Sequence, residues 1–277
     1  MTATPTEPAP PHTDPANTPP PPDGATSGSV FALQLADLSP ADPLRWLAAG
    51  WRDFVGCPKI GLFYGLCFFL MGHALWWVFQ AAPAYVLALS AGFLLMGPFL
   101  CLGLYDASRA SETGRRPSLR ASLTAWRPTK GTMAIFAGVL LILEMLWGRA
   151  SLVVFAVFFD TGMPTTASVL EAVFNPRNWE FVAVYLVVGG AFAALVFSTC
   201  VVSIPMILDR DTDAITAGIA SIQAVTGRTG VMIVWGALIV ALVIGALLLP
   251  WALGVLLVGP WLGHASWHAY RGCFAWR

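Results

Sequence analysis

Residues 229–270 read TGVMIVWGALIVALVIGALLLPWALGVLLVGPWLGHASWHAY and contain no Asp, Glu, Lys or Arg. About 20 apolar residues at 1.5 Å rise cross about 30 Å of hydrocarbon, so this stretch is long enough for two crossings. Pro250 divides it, because a residue with fixed φ and no N–H disfavours one continuous helix. The stretch therefore predicts spans over about 229–249 and 251–270, joined as a tight hairpin.

Working back from this hairpin, the same criterion gives spans over about 59–79, 82–105, 131–157 and 180–207. The first two are linked by little more than Gln80, Ala81, Ala82 and Pro83. The connection between spans 3 and 4, about 158–179, holds Asp160, Glu171 and Arg177, with a short surface helix expected over Thr166 to Phe174. Composition agrees: the chain is 57% hydrophobic and 11% charged. A soluble domain carries about 25% charged residues, so this chain has too little polar surface to cover a water-facing globule. The expected fold is an all-α membrane protein of six transmembrane helices over residues 40–273.

Basic residues set the orientation, since they favour the cytoplasmic side of a bacterial inner membrane. Arg45, Arg52 and Lys59 precede span 1, and Arg109, Arg115, Arg116, Arg120, Arg127 and Lys130 lie between spans 2 and 3. Arg210 and Arg228 separate spans 4 and 5, and Arg271 and Arg277 follow span 6. The opposite connections hold only Arg177. Both termini are thus expected in the cytoplasm. Residues 1–30 are rich in proline, including Pro19 to Pro22, and no Lys or Arg precedes Arg45. A signal peptide would need a basic start. A polar, proline-rich segment cannot bury enough apolar area to offset its ordering entropy, which predicts a disordered cytoplasmic tail.

The sequence also repeats. Leu44-Arg45, five residues and Trp51-Arg52 recurs as Leu119-Arg120, five residues and Trp126-Arg127, and without the charges as Ile215-Thr216, five residues and Ile222-Gln223. At helical spacing Leu44, Leu47, Trp51 and Phe54 share a face, as do Leu119, Leu123 and Trp126, and Ile215, Ile219 and Ile222. These are expected as interfacial amphipathic helices, apolar face in the acyl boundary, Arg at phosphate and Trp among the headgroups. Each precedes a hairpin of spans whose second member carries a proline, Pro98, Pro205 or Pro260, expected to kink it. Eight residues after each proline come Asp106, Asp213 and His268. The unit is surface helix, span, kinked span, three times in parallel, which implies a pseudo-axis along the membrane normal.

The Leu-Arg-x5-Trp-Arg-Asp-Phe entry helix, Gly-Leu-Phe-Tyr-Gly at 61–65 and Gly-Pro-Phe-Leu at 97–100 resemble a bacterial integral-membrane family, domain of unknown function 2189. The resemblance spans roughly residues 40–273. It implies a fold, and it brings no activity or ligand.

Chemistry-bearing residues are few. Cys57, Cys67, Cys101, Cys200 and Cys273 form no CxxC or zinc spacing and read as small hydrophobes. His73, His264 and His268 raise the question of haem, but by helical rise His73 stands about 22 Å from the cytoplasmic start of span 1, while His264 lies about 20 Å from the outer start of span 6. They belong to opposite leaflets. His264 and His268, at i and i+4, form with Asp106 and Asp213 a candidate polar cluster at the cytoplasmic end. Two readings of the histidines stand: a contribution to a metal site with a carboxylate such as Asp106, or interfacial hydrogen bonds to backbone or lipid. No metal and no cofactor is expected.

Glu144 and Arg149 lie inside span 3. Ionisable groups there cost at least about 2.5–3.5 kcal/mol on insertion scales, so each needs a partner. Glu144 reads either as a structural tie between helices or as a proton or cation site, and Arg149 as reaching the outer interface. Walker A, GxSxG, HExxH and nucleotide-binding glycine patterns are absent, and no enzymatic activity is expected. Arg45, Trp51, Arg52, Arg120, Trp126 and Arg127 point to anionic lipid, not nucleic acid, as partner. The expected role is a non-enzymatic accessory or organising factor for another membrane complex; the alternative is a small-solute or ion transporter using Glu144 and the kinked spans.

Overall fold

The computed structural model describes residues 34–81, 86–159 and 175–275; the proline-rich tail and the helix expected at 166–174 lie outside them. Ten helices are described: α1 (Asp42–Gly56), α2 (Pro58–Ala81), α3 (Val86–Glu112), α4 (Leu119–Thr124), α5 (Lys130–Phe158), α6 (Trp179–Cys200), α7 (Ser203–Arg210), α8 (Ala214–Gly227), α9 (Thr229–Leu248) and α10 (Val255–Cys273). Short 3-10 turns fill Pro176–Asn178 and Pro250–Ala252. Among the described residues no strand forms, and one isolated bridge joins Leu35 to Phe274. Ala36 N–H donates to the Cys273 carbonyl at 3.0 Å, so the two ends of the described chain meet at one end of the bundle.

Four described helical stretches are long and apolar enough to cross a membrane: α2, α5, Trp179–Arg210 (α6 with α7) and α9. Their outward faces carry Val157, Val187, Ile233 and Leu248, at 73, 72, 65 and 80% exposure. A soluble protein rarely leaves so wide an apolar surface in water, whereas hydrocarbon covers it at no cost. α10 is more polar, because Ser266, His264, His268 and Arg271 occupy its last half.

Two boundaries differ from the sequence expectation. Span 4 is interrupted at Val201–Val202, with Pro205 in the first turn of α7. A proline there cannot donate to the Val201 carbonyl. Beside the break Val202 N–H donates to Ser221 Oγ at 3.2 Å, and Ser203 Oγ donates to the Ala217 carbonyl at 3.1 Å, so α8 is pinned to it. The helix expected as span 6 is regular only from Val255, since Trp251 and Ala252 take positive φ values of 58° and 53°. α3 runs through Pro98 and α10 through Pro260.

Close backbone approach fixes the packing. Pro260 has no N–H for the carbonyl of Leu256, one turn earlier, and that carbonyl lies against Gly65 of α2 where a side chain would otherwise stand. Gly50 of α1 faces the Ala265 backbone of α10 in the same way. The largest buried cluster gathers Trp46, Leu102, Tyr105, Met133, Val202, Ile207, Met232, Trp235, Trp267 and Tyr270, joining α1, α3, α5, α7, α9 and α10.

The three surface helices are anchored to protein as well. α1 packs along α10, α4 on α3, and α8 on α7. Contrary to the expectation that its whole apolar stripe faces lipid, α1 buries Leu47 and Phe54 and leaves Leu44 and Trp51 exposed. The reason is a second inward row, Trp46 and Gly50, that fits α10; Trp261 Nε1 reaches the Leu47 carbonyl at 2.8 Å. α4 ends at Thr124, before Trp126. In α8 the faces separate: Ala214, Ala217, Ala220, Ser221 and Ala224 are buried, while Ile215, Ile219 and Ile222 are exposed.

Candidate functional site

The two histidines of α10 point into the bundle and away from lipid. His264 is fully buried, and its Nδ1 lies 2.8 Å from Ser108 Oγ of α3. One turn on, His268 Nε2 lies 2.8 Å from Asp53 Oδ2 of α1. Asp53 also takes a hydrogen bond from Ser108, so the order is His264, Ser108, Asp53, His268 across three helices. Burial pushes the Asp53 carboxyl up, but hydrogen bonds from His268 and Ser108 and the positive charge of His268 and His264 outweigh it, holding Asp53 below its ordinary range. Cys57 closes this side: burial, then the Asp53 charge, pushes its thiol up to about 11, an unreactive setting. His264 Nε2 has no hydrogen-bond partner among the described residues.

The carboxylate beside the histidines is therefore Asp53, not Asp106 or Asp213, and the hydrogen bonds run to side chains and not to backbone or lipid. Asp213 caps α8, its Oδ1 accepting from Ile215 and Thr216 N–H at 3.0 and 2.9 Å. Burial raises the Asp106 pKa against the opposing charges of Arg115 and Arg109. Among the described residues no group of three or more His, Cys, Asp or Glu is arranged to hold a metal ion.

Beside this chain lies an ion-pair network that the sequence reading did not anticipate. Asp209 of α7 meets Arg109 Nε at 3.5 Å, Arg210 Nε at 3.4 Å and Arg271 Nη1 at 3.8 Å, and accepts from Tyr270 Oη at 2.8 Å. Glu112 of α3 accepts from Arg271 Nε at 3.0 Å and Trp267 Nε1 at 3.0 Å. Carboxylates and guanidinium groups thus tie together the ends of α3, α7 and α10. A third tie sits nearby: Ser122 Oγ of α4 donates to the Gly103 carbonyl at 2.8 Å, which leaves Tyr64 Oη, 2.7 Å away, to donate to Ser122.

The intramembrane pair separates. Glu144 is half-buried and lines a groove of about 340 Å³ between α5 and α6, with Leu143, Trp147, Gly189, Phe192, Ala193 and Val196. Arg149 is exposed further along α5. Arg45, Trp51, Arg52, Arg120, Trp126 and Arg127 are all exposed, with Arg45 paired to Asp42 at 2.7 Å.

No curated protein matches the chain, and no solved structure does. A family match does exist, over residues 85–209, from α3 through α7. It includes Ser108, Glu112, Glu144 and Asp209, and excludes Asp53 and both histidines. Over residues 85–209 this chain matches the family described as predicted integral membrane protein (DUF2189).

Proposed function

We propose that this integral membrane protein is a non-enzymatic accessory or organising factor for another membrane complex, working from a rigid cytoplasmic end. The observation that carries the reading is the mutual pairing of the ionisable groups there: Asp53 with His268, Asp209 with Arg109 and Arg271, Glu112 with Arg271. Groups so engaged hold helices together, and they do not line a route. The groove beside Glu144 has apolar walls and partly exposed lining residues, which also speaks against a central pathway.

The finer architecture belongs to the same proposal: six spans in a bacterial inner membrane, termini in the cytoplasm, arranged as three repeats. The packing of each surface helix supports it. α4 rests on the second span of the first repeat, α8 on that of the second, and α1 on that of the third, as a closed three-membered ring requires. Exposed Arg45, Arg52, Arg120 and Arg127 suit anionic headgroups, each worth about 1 kcal/mol near the surface. Co-purification of the tagged full chain from native membranes in mild detergent tests the role. A reproducible membrane-protein partner is expected; recovery of the chain alone, together with ion or solute flux in proteoliposomes, would replace the proposal with the transporter.

A further inference from the structure

At the opposite end of the bundle from the polar cluster, α2 and the turn before α10 enclose a concave pocket of about 460 Å³. Phe68, Phe69, Gly72, His73 and Trp76 form one wall, and Leu247, Trp251, Ala252 and Val255 the other. Its size and mainly apolar walls with one convergent polar group are those of a small-molecule site.

Three observations say what would enter. The rim lies on exposed faces of apolar spans, with Trp76 56% and Leu247 56% exposed, so access is from hydrocarbon. His73 Nδ1 lies 3.0 Å from the Phe69 carbonyl and must donate to it, so the tautomer that makes this bond leaves Nε2 as the ring's acceptor. That nitrogen has no hydrogen-bond partner among the described residues. Finally, Trp251 and Ala252 are held in consecutive left-handed conformations, a costly backbone for side-chain-bearing residues, and both line the pocket. Gly72 keeps the space open, since among the described residues nothing stands within 4 Å of where its Cβ would be.

The geometry points to a binding site for a neutral, hydroxyl-headed membrane lipid, its apolar body against Phe68, Trp76 and Trp251 and its hydroxyl donating to His73 Nε2. A phosphate-headed lipid is not selected, because among the described residues no basic side chain other than His73 lines the pocket.

The test titrates the purified full chain with dioleoylglycerol, or with its O-acetylated analogue that lacks the donor, and counts bound lipid by native mass spectrometry. The wild type is expected to hold one dioleoylglycerol in preference to the acetate by about fivefold, the worth of one hydrogen bond. Gly72→Leu, which fills the space, should abolish that binding with the melting temperature unchanged. His73→Phe should remove the preference for the free hydroxyl, and His73→Gln, which retains an acceptor, should restore part of it. Equal binding of both lipids by the wild type overturns the proposal, as does unchanged preference in His73→Phe. Retention by a folded Gly72→Leu does the same. A pocket covered by a second copy, seen as a dimer that excludes the lipid, also overturns it.

Discussion

His268 Nε2 and Asp53 Oδ2 meet at 2.8 Å although 215 residues separate them, and this contact fastens the first helix to the last. Asp53 is held below its usual pKa of 3.8 in the folded chain, so it contributes stability above that value. The contribution is lost as pH falls through the lower folded value. Asp53→Asn should therefore flatten the acid limb of the stability profile below about pH 4. Asp53→Ala should cost about 1–3 kcal/mol at neutral pH by leaving His268 and Ser108 without their acceptor. Thermal unfolding in detergent from pH 7 to pH 3 reads both; an acid limb identical in wild type and Asp53→Asn would show that the contact carries no charge.

The approach of Gly65 to the Leu256 carbonyl gives a second expectation. Gly65→Ala places a methyl against backbone that cannot move aside, and overpacking of this kind costs about 1–3 kcal/mol. Gly72→Ala, seven residues along the same helix, meets nothing within 4 Å and should change stability by less than about 0.5 kcal/mol. Melting temperatures of the two variants compare them directly. Equal losses would mean that α2 and α10 do not touch at Gly65.

Much of this fold was legible as hydropathy and glycine spacing. The blocks at 59–79, 131–157 and 229–249 correspond closely to α2, α5 and α9, because a long apolar run encodes a span locally. The Ile215, Ile219, Ile222 face of α8 was readable from its period, and it is exposed. The polar cluster was legible only in half. The i, i+4 spacing of His264 and His268 placed them on one face, but Ser108 lies 156 residues from His264, and no local period encodes such a pairing. Asp53 stood inside the Trp-Arg-Asp-Phe motif, and Asp209 beside Arg210, without any local sign of partners on α10. For α1, the lipid-facing reading missed Trp46 and Gly50, since shape-matching to another helix leaves no mark on hydrophobicity alone.

The proposed topology is tested with reporter fusions. Fusions at Ala82, Thr166 and Pro250 should report outside, and those at Gly114, Thr212 and the C-terminus inside. The bridge between Leu35 and Phe274 already brings the two described ends together, so N- and C-terminal reporters should agree. A disagreement between them would remove an even number of spans from consideration.

Glu144 is where the accessory role and transport part most sharply. If it ties helices within the bilayer, Glu144→Gln should melt with the wild type and fully complement a deletion, because an amide still hydrogen-bonds. Glu144→Leu should then lose about 1–3 kcal/mol by leaving a polar group unsatisfied. If Glu144 carries a proton or cation, the Gln variant folds normally and fails, because it cannot ionise. Complementation by Glu144→Gln, measured beside its melting temperature, is therefore the most direct measurement: full activity at wild-type stability is predicted, and a stable but inactive Gln variant would contradict the accessory role.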